Sequence, residues 1–241
     1  SAGDTIVATL QLKDINVAQS ITNNLGTVNF SFVLPKTVTF ANTNRIDIPT
    51  TLQDQQQPGP VFLYPSPITV TGLTGLVGKV TVTLSNLSHT FPHDLNFLLV
   101  GPNGTKTLLM SHAADGSSAS AIDLTFDDSA LSELPASGGV TSGAWKPSQY
   151  APAPTFTNPA PAGPYSSVLS VFNGPITDGD WLLYANDDSG GDFGAVVGGW
   201  ALTFTVLNPV NQIADLLAVG TASPNPVFAG NNVTNTFSIT N

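Results

Sequence analysis

Apolar and polar residues alternate along much of this chain. From Trp200 to Val206, the apolar residues Trp200, Leu202, Phe204 and Val206 fall on one face, with Ala201, Thr203 and Thr205 on the other. A period of two is the mark of a strand buried on one side. Lys79 to Leu84 repeats it, with Val80, Val82 and Leu84 set against Thr81 and Thr83, so neighbouring strands are expected. Asp94 to Val100 is apolar on both faces, which predicts a central strand covered from both sides. Gly101-Pro102-Asn103-Gly104 follows, and Asn-Gly accepts the positive φ of a tight turn, so Lys106 to Ser111 is expected to return antiparallel. Further strands are predicted at Asp123 to Phe126, Ser167 to Phe172 and Trp181 to Ala185. Apolar residues rarely recur at helical spacing, and 22 Gly with 19 Pro interrupt the chain. The fold class predicted is all-β, an antiparallel sandwich with flanking β segments.

Three regions differ from this core. Residues 1–40 alternate (Ile6, Ala8, Leu10, Leu12) and run into Val28 to Leu34, as an N-terminal β extension or the end of a preceding domain would. Residues 135–165 are rich in Pro, Ala, Ser and Gly, too irregular for a ladder, and read as an ordered surface loop. Residues 208–241 contain Ala214 to Val219 and then Ser223-Pro224-Asn225-Pro226-Val227, expected as a linker and the start of a truncated β module. The sandwich is thereby placed at residues 41–207.

Composition narrows the setting. Charged residues are 9% of the 241, against about 25% in an average soluble domain, so Ser, Thr, Asn and Gly must cover the surface. Such a surface suits an extracellular or cell-surface protein. With no cysteine, disulfides, thiolate zinc sites and cysteine nucleophiles are excluded. The net charge of −10 repels polyanions, which argues against nucleic acid. No run of 18 apolar residues suggests membrane insertion, and no basic-then-apolar leader opens the chain, which reads as a mature fragment.

The middle of the chain carries a resemblance. Ile46-Asp47-Ile48-Pro49, Tyr64-Pro65-Ser66, Val80 to Leu84, His89-Thr90 with Asp94-Leu95, and Leu99 to Thr105 come first. Thr125 to Asp128, Leu169 to Gly174, Gly179 to Leu183, Asp187-Asp188, Gly194 and Gly199-Trp200 follow in order. Together they resemble the P domain, or Homo B domain, that follows the catalytic domain in kexin- and furin-like subtilases and also occurs in bacterial secreted proteins. Asp180 and the proline-rich stretch after Trp145 depart from that pattern. The resemblance covers roughly residues 40–207 and implies a jelly-roll-like sandwich. It also implies a non-catalytic accessory role, packing against a neighbouring domain of the same polypeptide such as a subtilisin-like serine endopeptidase. The last segment resembles the start of the immunoglobulin-like repeats of bacterial surface proteins. An adhesive or carbohydrate-binding module, taking protein or glycan ligands at the cell surface, is the alternative.

Four chemistries are open to the residues. Zinc would use His89, His93 and His112, but Pro92 breaks the helix that an i, i+4 pair needs, and no glutamate base accompanies it. A serine triad has only those histidines as bases and no nucleophile elbow. Calcium would use the short oxygen ligands of Asp187, Asp188 and Asp192 on a glycine-rich turn, with Asp127, Asp128 or Asp94 added by the fold; hairpin turns favour the same residues. A sugar platform would use Trp145, Tyr150, Phe156 and Tyr165, aromatics that otherwise pin the proline-rich loop to its sheet.

Overall fold

The computed structural model describes residues 5–13, 22–31, 33–48, 59–61, 63–209, 217–223, 228, 230–232 and 234–240. Phe32, Pro49, Ala214 to Leu216 and Pro224 to Val227, named above, lie outside them. The strands are β1 (Thr5–Lys13), β2 (Thr22–Ser31), β3 (Val33–Asn42), β4 (Ile46–Ile48), β5 (Gly59–Pro60) and β6 (Ser66–Val70). β7 (Leu76–His89), β8 (Leu95–Val100), β9 (Lys106–Ser111), β10 (Ala119–Phe126), β11 (Gly143–Trp145) and β12 (Ser148–Gln149) come next. β13 (Gly174–Pro175), β14 (Gly179–Asp187), β15 (Gly194–Val196), β16 (Trp200–Pro209), β17 (Leu217–Ser223) and β18 (Thr234–Thr240) complete the series. The described residues contain 3-10 turns at Pro92–Asp94 and Leu169–Phe172 and no α-helix. None of their helices is long and apolar enough to cross a membrane.

Two compact units divide the chain, one spanning Val33–Pro209 and the other comprising Gly3–Phe32 and Val210–Asn241. In the second unit β1 pairs with β2 and β17 with β18, both antiparallel. The first unit is an all-β sandwich of an eight-stranded and a six-stranded sheet. β3 crosses the expected boundary at residue 40, because its whole length pairs with β16, from Trp200↔Asn42 to Pro209↔Val33.

β7 is the axis of the larger sheet. Its first part lies between β16 and β13, and its last part between β15 and β10. The register Trp200↔Leu84, Leu202↔Val82 and Phe204↔Val80 puts all six residues on the inner face, where each is 2% exposed or less. The threonines between them form the outer face, and Thr83–Thr125 and Thr39–Thr203 hydrogen-bond across strands at 2.9 Å, as facing threonines do. The ladder breaks at Asn86, which has φ +55°. Gly199 has φ +70° there, and a Cβ on it would stand 2.0 Å from Asn42 O. Past the break β7 continues against β15 and carries His89 to one end of the sandwich.

In the smaller sheet β8 lies between β9 and β14 and is buried at every residue. Leu95, Phe97 and Leu99 face the main core, while Leu98 and Val100 join Leu108, Phe156 and Tyr184 in a second cluster. The proline-rich loop covers that second cluster. It is held there by Tyr64 Oη donating to Thr157 O at 2.8 Å, Asn186 Nδ2 donating to Thr155 O at 3.2 Å, and Phe156 packing edge-on to Tyr165. A central strand apolar on both faces is thus explained by a sheet in front and a loop behind. The Asn103-Gly104 turn closes with Gly101 N donating to Thr105 O at 2.8 Å, and β9 returns antiparallel.

The strand expected at Ser167 to Phe172 is instead the 3-10 turn Leu169–Phe172. Asp128 accepts the N–H groups of Leu169 and Ser170 at 2.8 and 2.7 Å, which fixes the start of a turn. Leu169 and Phe172, three residues apart, then face the same way into the core.

Candidate functional site

The stretch from Ser88 to Leu95 holds two histidines and a carboxylate at the end of β7. Pro92 opens the 3-10 turn, Asp94 N donates to Phe91 O at 3.2 Å, and β8 begins at Leu95. His89 points inward, and its Nδ1 accepts the Phe91 N–H at 3.2 Å, which leaves Nε2 as the protonated nitrogen. That Nε2 lies 3.3 Å from Asp187 Oδ2, both side chains being at most 1% exposed, and neither atom has a hydrogen bond of good geometry. The fit is close because Gly194 faces His89 across the β7–β15 ladder; a Cβ there would stand 2.0 Å from Ser88 O and 2.6 Å from His89 Cδ2. His93 is partly exposed, with Nδ1 3.8 Å from Asp94 Oδ1.

His112 belongs to a different chain of contacts. Its Nε2 is 2.8 Å from Asp188 Oδ2, and its Nδ1 is 3.1 Å from Ser111 Oγ. Serine, histidine and aspartate thus stand in a line, as they do in a hydrolase. The chemistry of a nucleophile does not follow. Ser111 is fully buried and donates its hydroxyl hydrogen to Asn96 Oδ1 at 2.7 Å, while Asn96 Nδ2 donates to Asp188 Oδ2 at 2.8 Å. A substrate carbonyl has no path to Oγ, and the proton that a base would take already serves Asn96. Asn96 and Ser111 escaped the sequence reading; the available signal was a single Asn inside the apolar run of β8.

The fold brings four of the six expected metal ligands to one place and leaves two elsewhere. Asp187 ends β14, the turn that leads on to β15 carries Asp188 and Asp192, and the turn from β7 to β8 carries Asp94. Asp188 N donates to Asp94 O at 3.0 Å, and Thr90 Oγ1 donates to Asp192 Oδ1 at 2.7 Å, tying the two turns together. Burial, then the charges of Asp187, Asp192 and Asp188, push the Asp94 carboxyl up to about 6, and His93 opposes them weakly. Asp127 lies by β10, where it accepts Lys79 Nζ at 2.7 Å and both N–H and hydroxyl of Ser129. Burial would raise its pKa, but those hydrogen bonds hold it below the usual carboxylate range. Asp128 serves the 3-10 turn. As the side chains stand, no three His, Asp or Glu groups among the described residues converge closely enough to chelate one ion.

The four aromatics expected for a sugar platform differ in burial. Phe156 is buried, and Trp145, Tyr150 and Tyr165 are half-buried. Trp145 Nε1 donates to Thr141 O at 3.1 Å, Tyr150 Oη to Leu134 O at 2.6 Å and Tyr165 Oη to Pro161 O at 2.9 Å. Elsewhere a cavity of about 200 Å³ opens between the sheets, lined by Val70, Leu73, Val77, Phe172, Ile176, Trp181 and Phe204 among others, with Asn103, Asn173 and Thr177 as its polar groups. Val171, also in the lining, is exposed. No protein-family model, no curated protein and no solved structure matches this chain.

Proposed function

We propose that this chain is a non-catalytic accessory module of a larger secreted or cell-surface bacterial protein, a jelly-roll-like sandwich of the P-domain type. It packs against and stabilises a neighbouring domain of the same polypeptide, such as a subtilisin-like serine endopeptidase. The observation that carries the reading is the closed state of its polar cluster. His89, Ser111 and Asp187, the groups best suited to proton transfer or nucleophilic attack, are fully buried, and the Ser111 hydroxyl is committed to an internal hydrogen bond. Exposed Val171, at the rim of the cavity between the sheets, supplies an apolar point for packing, since an apolar side chain gains free energy when a neighbour removes it from water.

The test joins the neighbouring domain to this one and measures its unfolding with and without residues 33–209. The neighbour's Tm is expected to fall on removal, and Val171→Asp in the joined protein to reproduce part of that fall. An unchanged Tm in both would remove the accessory role. Hydrolysis of a peptide library by the purified chain, abolished by Ser111→Ala or His112→Ala, would make it an enzyme instead.

A further inference from the structure

We propose that the outer face of the larger sheet, at the end where β10, β7, β15 and β4 lie side by side, binds a short uncharged oligosaccharide. Small residues make the floor of this site. β15 pairs with β7 and β4 in the register Ser88↔Ala195↔Asp47. β10 joins the same row where its register with β7 shifts between Ala119 and Ile122, with Ala121 N donating to Ser88 Oγ at 2.8 Å. Strands lie about 4.8 Å apart, so a row across four of them runs about 14 Å, long enough for more than one sugar ring. A period of two puts Phe193 and Val197 on the same face as Ala195, one to each side. Both rise from the floor, 49% and 38% exposed. The groove they help to line has a volume of about 470 Å³, and small-molecule sites run from about 300 to 1,000 Å³.

The lining has hydrogen-bonding capacity to spare. Ser118 and Ser120 are exposed in it, and among the described residues their hydroxyls have no hydrogen-bond partner. Ser88 Oγ accepts the Ala121 N–H and keeps its own hydrogen to donate. Arg45 uses only Nε, on Asp47 Oδ1, so its terminal nitrogens and the second Asp47 oxygen stand side by side as donors and acceptor. Neighbouring hydroxyls of a sugar ring, each both donor and acceptor, match that pairing. The half-exposed Phe193 ring offers an apolar, electron-rich face to the C–H face of the same sugar. Charge decides against other occupants. Arg45 is the one permanently charged residue in the lining, and Asp47 neutralises it; His89 also lines the groove, with its ring buried and held by the Phe91 N–H. With the chain at −10, a polyanion or an acidic glycan would be repelled. A protein partner would ask for a broad apolar patch, whereas here two apolar side chains flank a floor lined with hydroxyls. The site uses neither Val171 nor the proline-rich loop, so it is independent of the accessory reading above.

The experiment is saturation-transfer NMR of the full chain with neutral oligosaccharides of glucose, galactose, mannose and N-acetylglucosamine, and with sialyllactose as the acidic comparison. Each sugar is present at about 1 mM, which reveals binding as weak as millimolar, and those that bind are titrated by calorimetry. At least one neutral oligosaccharide is expected to bind. Phe193→Ala and Arg45→Ala, both at exposed positions, are each expected to weaken it by about ten-fold or more with Tm unchanged, as loss of an anchor does. Phe193→Tyr, which keeps the ring face, should retain binding, and Tyr165→Leu in the proline-rich loop should leave it unchanged. The wild-type measurement needs no variant to fold. No signal from any neutral sugar, or binding confined to sialyllactose, would overturn the proposal. Binding that survives both Phe193→Ala and Arg45→Ala would overturn it as well.

Discussion

Phe156→Ala tests whether the proline-rich loop is part of the fold or a free ligand platform. The ring is 8% exposed, lies against Leu98, Val100, Leu108 and Tyr184, and meets the Tyr165 ring edge-on at a centroid distance of 5.7 Å. Truncating a core phenylalanine costs about 3–5 kcal/mol. The site lies under a loop that can settle inward, so the lower end applies, about 3 kcal/mol. For a domain of this size each kcal/mol moves Tm by about 2–4 °C, which gives a fall of about 6–12 °C. The assay is guanidinium unfolding together with limited proteolysis, since a loop that has lost its anchor should be cut between residues 150 and 165. A double-mutant cycle with Tyr165→Leu should return a coupling of about 0.5–1.5 kcal/mol for the ring pair. A loss below about 1 kcal/mol with the loop still resistant would refute the reasoning. Binding to a glycan array that disappears with Phe156→Ala while stability holds would move the loop to the ligand-binding class.

Other expectations follow from the site and its surroundings. Asp94→Asn in calcium-free buffer should stabilise the protein at pH 7 by about 1–2 kcal/mol after allowance for solvent screening. The native carboxyl titrates near 6 against 3.8 when unperturbed, so the penalty of its ionised form is full above pH 6 and fades towards pH 4. The variant's advantage, read by urea melts from pH 7 to pH 4, should vanish at the acid end; an advantage independent of pH would refute it. Gly194→Ala should cost more than about 2 kcal/mol, because the new methyl meets Ser88 O and the His89 ring with no room to yield; a Tm within a degree of wild type would contradict this. Lys79→Met should change stability by less than about 1 kcal/mol, since the pair with Asp127 is partly solvated, and a larger loss in low salt would show the pair to be stronger than its exposure suggests.

Much of the sandwich was legible in the residues. Alternation placed β7 and β16 and their inner faces, because a strand half in water needs a period of two and nothing else in the chain imitates it. The two-sided apolar run marked β8 as central, and Asn103-Gly104 marked its turn. The misreading at Ser167 to Phe172 came from local contact at long range: the apolar residues suit a strand, and only Asp128, some forty residues earlier, makes them a turn. The boundary at residue 40 was invisible for a similar reason, since the partner that claims Val33 to Asn42 is β16, far along the chain.

The sequence alone determined an all-β chain, the strands of its core and the absence of thiol chemistry, because hydrophobic period, turn residues and composition are local quantities. It also supplied every carboxylate and histidine of the candidate site. Only the tertiary structure decided which of them meet. Asp94 and Asp187 are far apart along the chain, and pairing of β8 with β14 in register Leu95↔Asp187 brings them to one end of the sandwich, whereas Asp127 and Asp128, equally acidic, are taken up by Lys79 and a 3-10 turn. Burial also distinguished residues that composition treats as equal: Ser111, His112 and Asp188 have the groups of a triad, and the Ser111 hydroxyl is fully buried and bonded to Asn96.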